Sequence, residues 1–254
     1  MPLTSFGETA MSWYAYCLTE QHLTNGARSR RPFIIDGIQG VNGSTVLSYP
    51  SGDFAVVVSE FDRATIALDE ERHVLEHARV VSVCFRQGTV LPFRFGTIFD
   101  SDECLKQAVR ANRRAFGESV ARLKGKAEMH VKLLVRDGAL RELRDVQIPD
   151  TVGGEYLSKL KEKAIADRER QTKARAISVQ VHRLFNPLEE EISCKRVATD
   201  GMLIDIAHLI DSKSIEKYQN RYTSAAKQLK NCEISVSGPW PPYHFLPGKL
   251  RTVA

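Results

Sequence analysis

The feature that most constrains the fold is an unbroken run of aromatic and aliphatic residues near the start of the chain, from Trp13 to Leu18. A half-exposed strand alternates apolar with polar residues, whereas a run this apolar suits a strand that is covered on both faces. We therefore predict a short central strand here. With 43% hydrophobic residues among 254, the chain is long enough to bury a core around it.

Strand and helix patterns alternate through the rest of the first half. Two strand-like runs, Ser44 to Tyr49 and Asp53 to Ser59, are separated by Pro50, Ser51 and Gly52, which predicts a hairpin. A helix from about residue 69 to residue 87 follows, and its first turn is acidic. Its predicted apolar stripe consists of Leu75, Ala78, Val81 and Phe85.

A second helix is predicted between residues 100 and 125, because Asp100 and Glu103 have capping-box spacing and Gly125 follows at its end. Its apolar positions keep the helical period across a single polar member, Asn112. From residue 127 to 135, apolar and polar residues alternate, which predicts a half-buried strand. The polar members, which the pattern places on the outward face, are Glu128, His130 and Lys132.

The second half begins with a predicted helix from about Glu155, and its stretch from Lys161 to Arg175 contains nine charged residues with little apolar periodicity. We predict that this stretch is solvated. Asp200 and Gly201 lie between two strand-like runs and give a strong hairpin signal. A helix over residues 213–230 and a closing strand over 232–236 complete this half.

These elements predict an α+β fold class, with two ferredoxin-like or related sheet-plus-helix domains joined by a linker and a long charged helix. The predicted bounds are 1–137 for the N-terminal α+β domain, 138–154 for the linker and 155–254 for the C-terminal α+β domain. Segments 99–131 and 210–236 have similar patterns. Either a duplication or the general likeness of strand-helix-strand units would produce that similarity.

Charge and cysteine content argue against several classes of function. The net charge of +5 is mild, so nucleic acid is not demanded. The densest basic points lack interleaved aromatics for base stacking and are interpreted as solvated faces; they are Arg28, Arg30 and Arg31, and Arg110, Arg113 and Arg114. Five widely spaced cysteines suggest reduced core residues.

Without a signal-peptide pattern or an apolar run of about 20 residues, the cytoplasm is the expected location.

Two motifs are more specific than these patterns. The first consists of Leu91, Pro92, Phe93, Arg94, Phe95 and Gly96, and the second of Gly238, Pro239, Trp240, Pro241, Pro242 and Tyr243. Together with the strands at 13–18 and 55–59 and the sequence HARVV at 77–81, they occur in the order found in the GvpF/GvpL family of gas vesicle proteins. The chain resembles that family from about residue 13 to residue 245.

The resemblance implies a non-enzymatic accessory or minor structural protein of gas vesicle assembly, located in the cytoplasm and at the gas vesicle. It implies contacts with the major gas vesicle shell protein and with other gas vesicle accessory proteins. No cofactor, metal, small-molecule substrate, nucleic acid or membrane is expected. The residues of both motifs are the candidates for structural or partner-contact roles, because prolines halt strand pairing and aromatic side chains offer contact area.

Two of these candidates allow more than one interpretation. Trp240 and Tyr243 either seal the core of the second domain or anchor a partner, and we favour the core because inward-facing Val236 lies just upstream. Arg94 is flanked by two phenylalanines in an alternating pattern and points away from both. A structural ion pair and a contact with an acidic partner both fit this position.

An enzymatic alternative comes from His73, Glu76 and His77, which match the inverted zincin pattern H-x-x-E-H. In that pattern two histidines bind zinc and the glutamate acts as the base of a hydrolase. A third ligand is not evident in the sequence. A hydrogen-bonded histidine bordering the core is therefore the simpler interpretation of His77, and a zinc-dependent hydrolase is the alternative.

Overall fold

The computed structural model describes residues 12–20, 33–62, 71–136, 152–187, 189–196, 201–229 and 232–247. The strands are β1 (Ser12–Glu20), β2 (Phe33–Gln39), β3 (Thr45–Ser51), β4 (Phe54–Phe61), β5 (Val90–Pro92), β6 (Ile98–Phe99), β7 (Lys126–Arg136), β8 (Glu189–Arg196), β9 (Gly201–Asp211) and β10 (Cys232–Trp240). The helices are α1 (Glu71–Gln87), α2 (Asp102–Ala111), α3 (Arg113–Leu123), α4 (Val152–Phe185) and α5 (Ile215–Gln228). This mixture confirms the predicted α+β class.

The chain divides into two compact units. The first unit consists of Met1–Lys126 together with Pro241–Ala254, and the second of Ala127–Trp240. The first unit is built on a sheet with the order β2-β3-β4-β1-β5, in which β6 also pairs with β1. As predicted, β1 is central, and every side chain over residues 13–19 is buried. The predicted hairpin is confirmed as β3 and β4.

Helix α1 covers this sheet with a face that differs from the predicted one. Leu75 of the predicted stripe is 65% exposed, whereas the buried positions are His73, His77, Val80, Val81 and Cys84. The prediction was right for Val81 and wrong for Leu75, because it ranked residues by hydropathy. His77 can be buried at little cost because both of its ring nitrogens find hydrogen-bond partners, and those partners are remote in the sequence.

The second predicted helix is in fact two helices, α2 and α3, which meet at Asn112. The Ala108 carbonyl accepts hydrogen bonds from both the backbone N–H of Asn112, at 3.3 Å, and its side-chain amide, at 2.9 Å. Helix α2 is capped by Ser101 rather than by Asp100. The Ser101 hydroxyl accepts a 3.2 Å hydrogen bond from the Cys104 N–H.

The second unit has the β-α-β-β-α-β connectivity of a ferredoxin-like domain; the predicted C-terminal domain contained the last five of these elements but not the first strand, β7. Its sheet has the order β10-β7-β9-β8. Within the predicted solvated stretch 161–175, residues 161–169 of α4 are exposed or half-exposed, as predicted, but Ala174 is buried. One face of the C-terminal part of α4, with Val181 and Phe185, is likewise buried in the core. The core contains Met129, Val131, Leu133, Ala174, Val181, Phe185, Ile204, Ile206, Ile210, Tyr218, Ala225 and Leu229.

The bounds of the two units differ from the predicted domain bounds of 1–137 and 155–254. Strand β7 pairs with β10 in the second sheet, and residues 241–247 belong to the first unit. Alternation along a chain identifies a strand but does not specify which strand it pairs with. Of the predicted linker, residues 138–151 lie outside the described residues, and α4 already begins at Val152.

The cysteines follow the prediction only in part. Cys17 and Cys84 are buried, but Cys104 is exposed and Cys232 is partly exposed, and all four are free thiols. The side chain of Cys194 lies outside the described residues.

Within the described part of the chain, each helix is too short or too polar to cross a bilayer.

Candidate functional site

The first motif begins in β5, where it is fixed to the central strand of the first sheet. Leu91 pairs with Leu18 and Pro92 with Cys17, and the motif residues of both pairs are buried. Proline lacks a backbone donor and cannot continue the ladder of hydrogen bonds. The Phe93 N–H adds one more bond of 2.9 Å, to the carbonyl of Tyr16 in β1, and the chain then leaves the sheet.

A tight turn follows β5 and contains the rest of the motif. The Thr97 N–H and hydroxyl both donate to the Arg94 carbonyl, at 3.1 and 2.7 Å, and so close a four-residue turn. Gly96, the third residue of this turn, has a φ of +82°. A side chain at that position would be strained, because this region of backbone conformation is favourable mainly for glycine.

His77 of α1 holds this turn against the sheet. Its Nε2 lies 3.2 Å from the Phe93 carbonyl and its Nδ1 lies 2.8 Å from the Tyr14 hydroxyl. A carbonyl can only accept a hydrogen bond, so Nε2 carries the proton and donates to Phe93, and Nδ1 accepts a hydrogen bond from the Tyr14 hydroxyl. The Tyr14 oxygen in turn accepts a 3.3 Å hydrogen bond from the Gly96 N–H. Burial lowers the pKa of His77 to about 4, so the ring is neutral at physiological pH.

The turn presents Arg94 on the surface, while its aromatic neighbours face inward. Arg94 is exposed, and Phe93 and Phe95 are half-buried. The Phe95 ring packs edge-on to Tyr14 and to His77, with ring centroids 6.3 and 5.9 Å apart. Among the described residues no carboxylate forms an ion pair with Arg94, so the predicted structural ion pair is not observed there. The guanidinium remains available to a carboxylate from outside the chain.

The H-x-x-E-H sequence lies on α1, but its side chains do not converge as metal ligands. Both ring nitrogens of His77 are engaged with Tyr14 and the Phe93 carbonyl. Glu76 instead accepts a 2.8 Å hydrogen bond from the Asn42 N–H. In the described residues of the first unit, no three ligand atoms of His, Cys, Asp or Glu lie together as a metal site requires.

The second motif begins with a close backbone contact between two strands of the second sheet. Gly238 has a φ of +125°, and a Cβ placed on it would lie 2.9 Å from the Glu128 carbonyl oxygen and 3.3 Å from the Met129 Cα. Both neighbours are backbone atoms of β7 and cannot move aside easily. The peptide bond to Pro239 is cis. The register between β10 and β7 shifts between Ser237 and Trp240 at this point.

Trp240 does not seal the core of the second unit, contrary to our prediction. Its side chain is 44% exposed, and its indole N–H donates a 3.2 Å hydrogen bond to the Ser237 hydroxyl. The prediction extended the inward phase of Val236 along the strand, and the register shift interrupts that phase. This exposure is compatible with the other interpretation of Trp240, that of a partner anchor.

The remaining motif residues belong to the first unit. Pro241 and Pro242 are buried, and Tyr243 is 37% exposed. Just beyond the motif, Phe245 is 6% exposed and its carbonyl accepts a hydrogen bond from the Arg122 guanidinium of α3. Among the described residues of this end of the chain, the buried aromatic side chain is therefore that of Phe245, rather than that of Trp240 or Tyr243.

Polar side chains inside the second unit were also missed. Glu128, predicted to face outward, is 1% exposed, and its carboxylate lies 2.6 Å from His130 Nε2. His130 Nδ1 lies 3.1 Å from an Asp205 oxygen, so one ring bridges two acidic side chains of neighbouring strands. An alternating pattern marks polar residues as outward, yet such a face can be buried when its polar groups bond one another.

His208, which is fully buried, lies on the face of this sheet opposite to His130. His208 of β9 lies 2.6 Å from the Tyr218 hydroxyl and 2.7 Å from His182 Nδ1. Burial, reinforced by the neighbouring His182 and His130, lowers the pKa of His208 to about 3. Both ring nitrogens of this neutral histidine are engaged, so it joins α4 and α5 to the sheet.

The sequence profile of a protein family described as gas vesicle synthesis protein GvpL/GvpF matches residues 12–247 and thus nearly the whole chain. The chain belongs to the GvpL/GvpF family. Gas vesicle protein F1 of Halobacterium salinarum is 24% identical over 233 residues, covering 90% of this chain and 94% of the relative. Gas vesicle protein L1 of the same organism is 25% identical over 264 residues, covering 92% and 90%.

The fold of this GvpL/GvpF member is shared with a solved structure. The crystal structure of the gas vesicle protein GvpF from Anabaena matches with a TM-score of 0.68 at 20% sequence identity, covering 93% of this chain and 96% of that chain. The two motifs do not lie within one compact unit here. Residues 91–96 and 241–243 belong to the first unit, and residues 238–240 belong to the second.

Proposed function

We propose that this chain is an accessory protein of gas vesicle assembly that works through contacts with the major shell protein and other gas vesicle proteins. The observation that supports this most strongly is the match of the GvpL/GvpF profile over residues 12–247, together with relatives named as gas vesicle proteins. We further propose that it acts in the cytoplasm and at the vesicle, without catalysis or a cofactor.

The turn at Arg94 supports a role in protein contacts. Its backbone is fixed by Thr97 on one side and by the Tyr14 and His77 side chains on the other. A fixed turn loses little conformational freedom when a partner binds, so more of the contact energy appears as affinity. The exposed guanidinium of Arg94 has N–H groups in a planar fork that can donate two hydrogen bonds to the two oxygens of a carboxylate.

Trp240 supports the same role in the second unit. Tryptophan and arginine are the residue types that most often dominate the energy of protein interfaces. Trp240 exposes almost half of its side chain, and Pro239 and Pro241 on either side restrict the backbone that presents it. We propose that Trp240 and Arg94 are separate contact points, one on each unit.

His77 and His208 support a structural rather than a catalytic role. His77 and His208 are neutral, and both ring nitrogens of each are already engaged with groups of the chain itself. A general base needs a free lone pair within reach of the substrate. In these two histidines the lone pair is used for holding elements of the fold together.

Deleting the gene in a vesicle-forming host tests the assembly role. The number of gas vesicles seen by electron microscopy is expected to fall strongly, and expression of the intact chain is expected to restore it. Normal vesicles in the deletion strain would contradict the proposed function.

Binding of purified shell protein tests the contact role of Trp240. Trp240→Ala is expected to leave the melting temperature unchanged, because the side chain is half-exposed, and to weaken binding by about 2 kcal/mol, as loss of an aromatic hot spot does. Leu160→Ala is the control, since Leu160 of the same unit is 46% exposed and lies outside the motif. Equal binding by both variants, or a large fall in stability for Trp240→Ala alone, would refute the anchor.

A further inference from the structure

Two adjoining cavities open on the first unit, where the turn between β3 and β4 meets the bend between α2 and α3. They have volumes of about 410 and 730 Å³ and share Asp53, Phe54, Arg110 and Arg113 in their lining. We call the pair the basic cleft, because its positively charged lining residues are Lys106, Arg110, Arg113 and Arg114. Its acidic lining residues are Asp53 and Glu118, so cations are in excess.

The cations of the basic cleft differ in how firmly they are paired. Arg113 bonds to Asp53 at 2.5 Å and Arg114 to Glu118 at 2.8 Å, but all four side chains are more than 60% exposed. Exposed ion pairs of this kind contribute at most about 1 kcal/mol, so an incoming carboxylate can replace one member. Arg110 lines both cavities, and no carboxylate of the described residues forms an ion pair with it.

Apolar groups lie beside these charges. Phe54 and Val109 line the cleft and are 6% and 3% exposed, so they present a closed hydrophobic floor. The α3 wall is formed in part by Ala115 and Gly117, and a Cβ placed on Gly117 would meet nothing within 4 Å. A chain segment can therefore approach this wall closely, with its charged side chains over the arginines and an apolar one over the floor.

The start of α2, the helix that contains Arg110, is anchored firmly to the sheet. Asp102 accepts a 2.6 Å hydrogen bond from the Trp13 indole and a second hydrogen bond from the Tyr49 hydroxyl. Lys106, one helical turn further, lies 3.5 Å from the same carboxylate and 5.6 Å from the centre of the Tyr49 ring. The basic side chains of the cleft are thus presented by fixed elements, which reduces the entropy lost on binding.

We propose that the basic cleft binds an acidic segment of a partner protein, with a carboxylate on Arg110 and an apolar side chain over Phe54 and Val109. Arginine clusters recognise acidic motifs through paired hydrogen bonds. Nucleic acid fits less well, because single-strand binding uses aromatic faces for stacking and Phe54 is buried.

This inference rests on the proposed function only in that both assume a protein that works by protein contacts. The probe is a short fluorescent peptide in which glutamates alternate with leucines, titrated with the intact chain and followed by fluorescence anisotropy. Arg110→Gln is expected to weaken binding about tenfold, as loss of one charge-assisted pair does. Asp53→Asn is expected to strengthen it, because Arg113 then loses its competing partner.

Arg86→Gln is the matched control, since it removes the same charge from an exposed position at the end of α1 and outside the cleft. It is expected to bind like the original chain, and the same peptide with glutamines in place of glutamates is expected not to bind. Equal losses for Arg86→Gln and Arg110→Gln, no binding by the original chain, or tighter binding of a single-stranded oligonucleotide through Arg110 would each overturn the proposal. Vesicle formation in the deletion strain tests the proposed function independently of these titrations.

Discussion

Acidification is expected to destabilise the first unit through His77. The pKa of this histidine falls from 6.5 to about 4 on folding, because the ring is buried between Tyr14 and the Phe93 carbonyl. Between these two pH values the unfolded chain binds more protons than the folded one, so stability is lost as the pH falls through that window. The loss is about 2 kcal/mol between pH 7 and pH 5, and about 3 kcal/mol once the pH is below about 4.

The assay uses the two tryptophans of the chain, of which Trp13 is buried in the first unit and Trp240 is exposed in the second. In a Trp240→Phe background, fluorescence during urea unfolding reports on the first unit alone. His77→Gln in that background is expected to be less stable at pH 7, because the paired hydrogen bonds are disturbed, and to lose about 2 kcal/mol less than its parent between pH 7 and pH 5. Equal pH dependence with and without His77 would refute the reasoning.

Two further expectations concern packing in each unit. Gly238→Ala is expected to lower the free energy of unfolding by about 2 kcal/mol or more, because the residue has a positive φ and a Cβ there meets the backbone of Met129. Gly117→Ala, in an open helical position, is expected to raise the free energy of unfolding by about 0.5 to 1 kcal/mol. Urea titrations in which Gly117→Ala is the less stable of the two variants would contradict the argument. Phe185→Ala is expected to lower the free energy of unfolding by about 3 to 5 kcal/mol, because the ring is fully buried. Val179→Ala is expected to change the free energy of unfolding little, because the Val179 side chain is 46% exposed. Thermal melts compare the two variants.

The central features of the fold could be predicted because they depend on local patterns of residues along the chain. The apolar run of β1 has no polar face, so it has to be covered on both sides, and turn residues separate β3 from β4. The position of His77 at the border of the core could be predicted, but its bonding partners could not be identified in this way. They are the Tyr14 hydroxyl of β1 and the backbone carbonyl of Phe93, just after β5, and they are close to His77 only after the sheet has formed.

The candidate site divides in a similar way. The residues of both motifs could be selected from the sequence, and the exposure of Arg94 followed from the alternation around it. The exposure of Trp240 and the burial of Glu128 did not follow. Both depend on the pairing of β10 with β7, where a shift in register changes which face a residue occupies, and register is a property of two strands rather than one.

The order of the units along the chain has a consequence for synthesis on the ribosome. The second unit is inserted between the two parts of the first, so the residues that contribute Phe245 and its bond to Arg122 are translated after the entire second unit. Domains generally fold as units while the chain emerges, from the N-terminal end onward. In this chain every strand of the first sheet is translated before the second unit, so that sheet can form early, whereas Phe245 and its bond to Arg122 can be added only after the second unit has been translated.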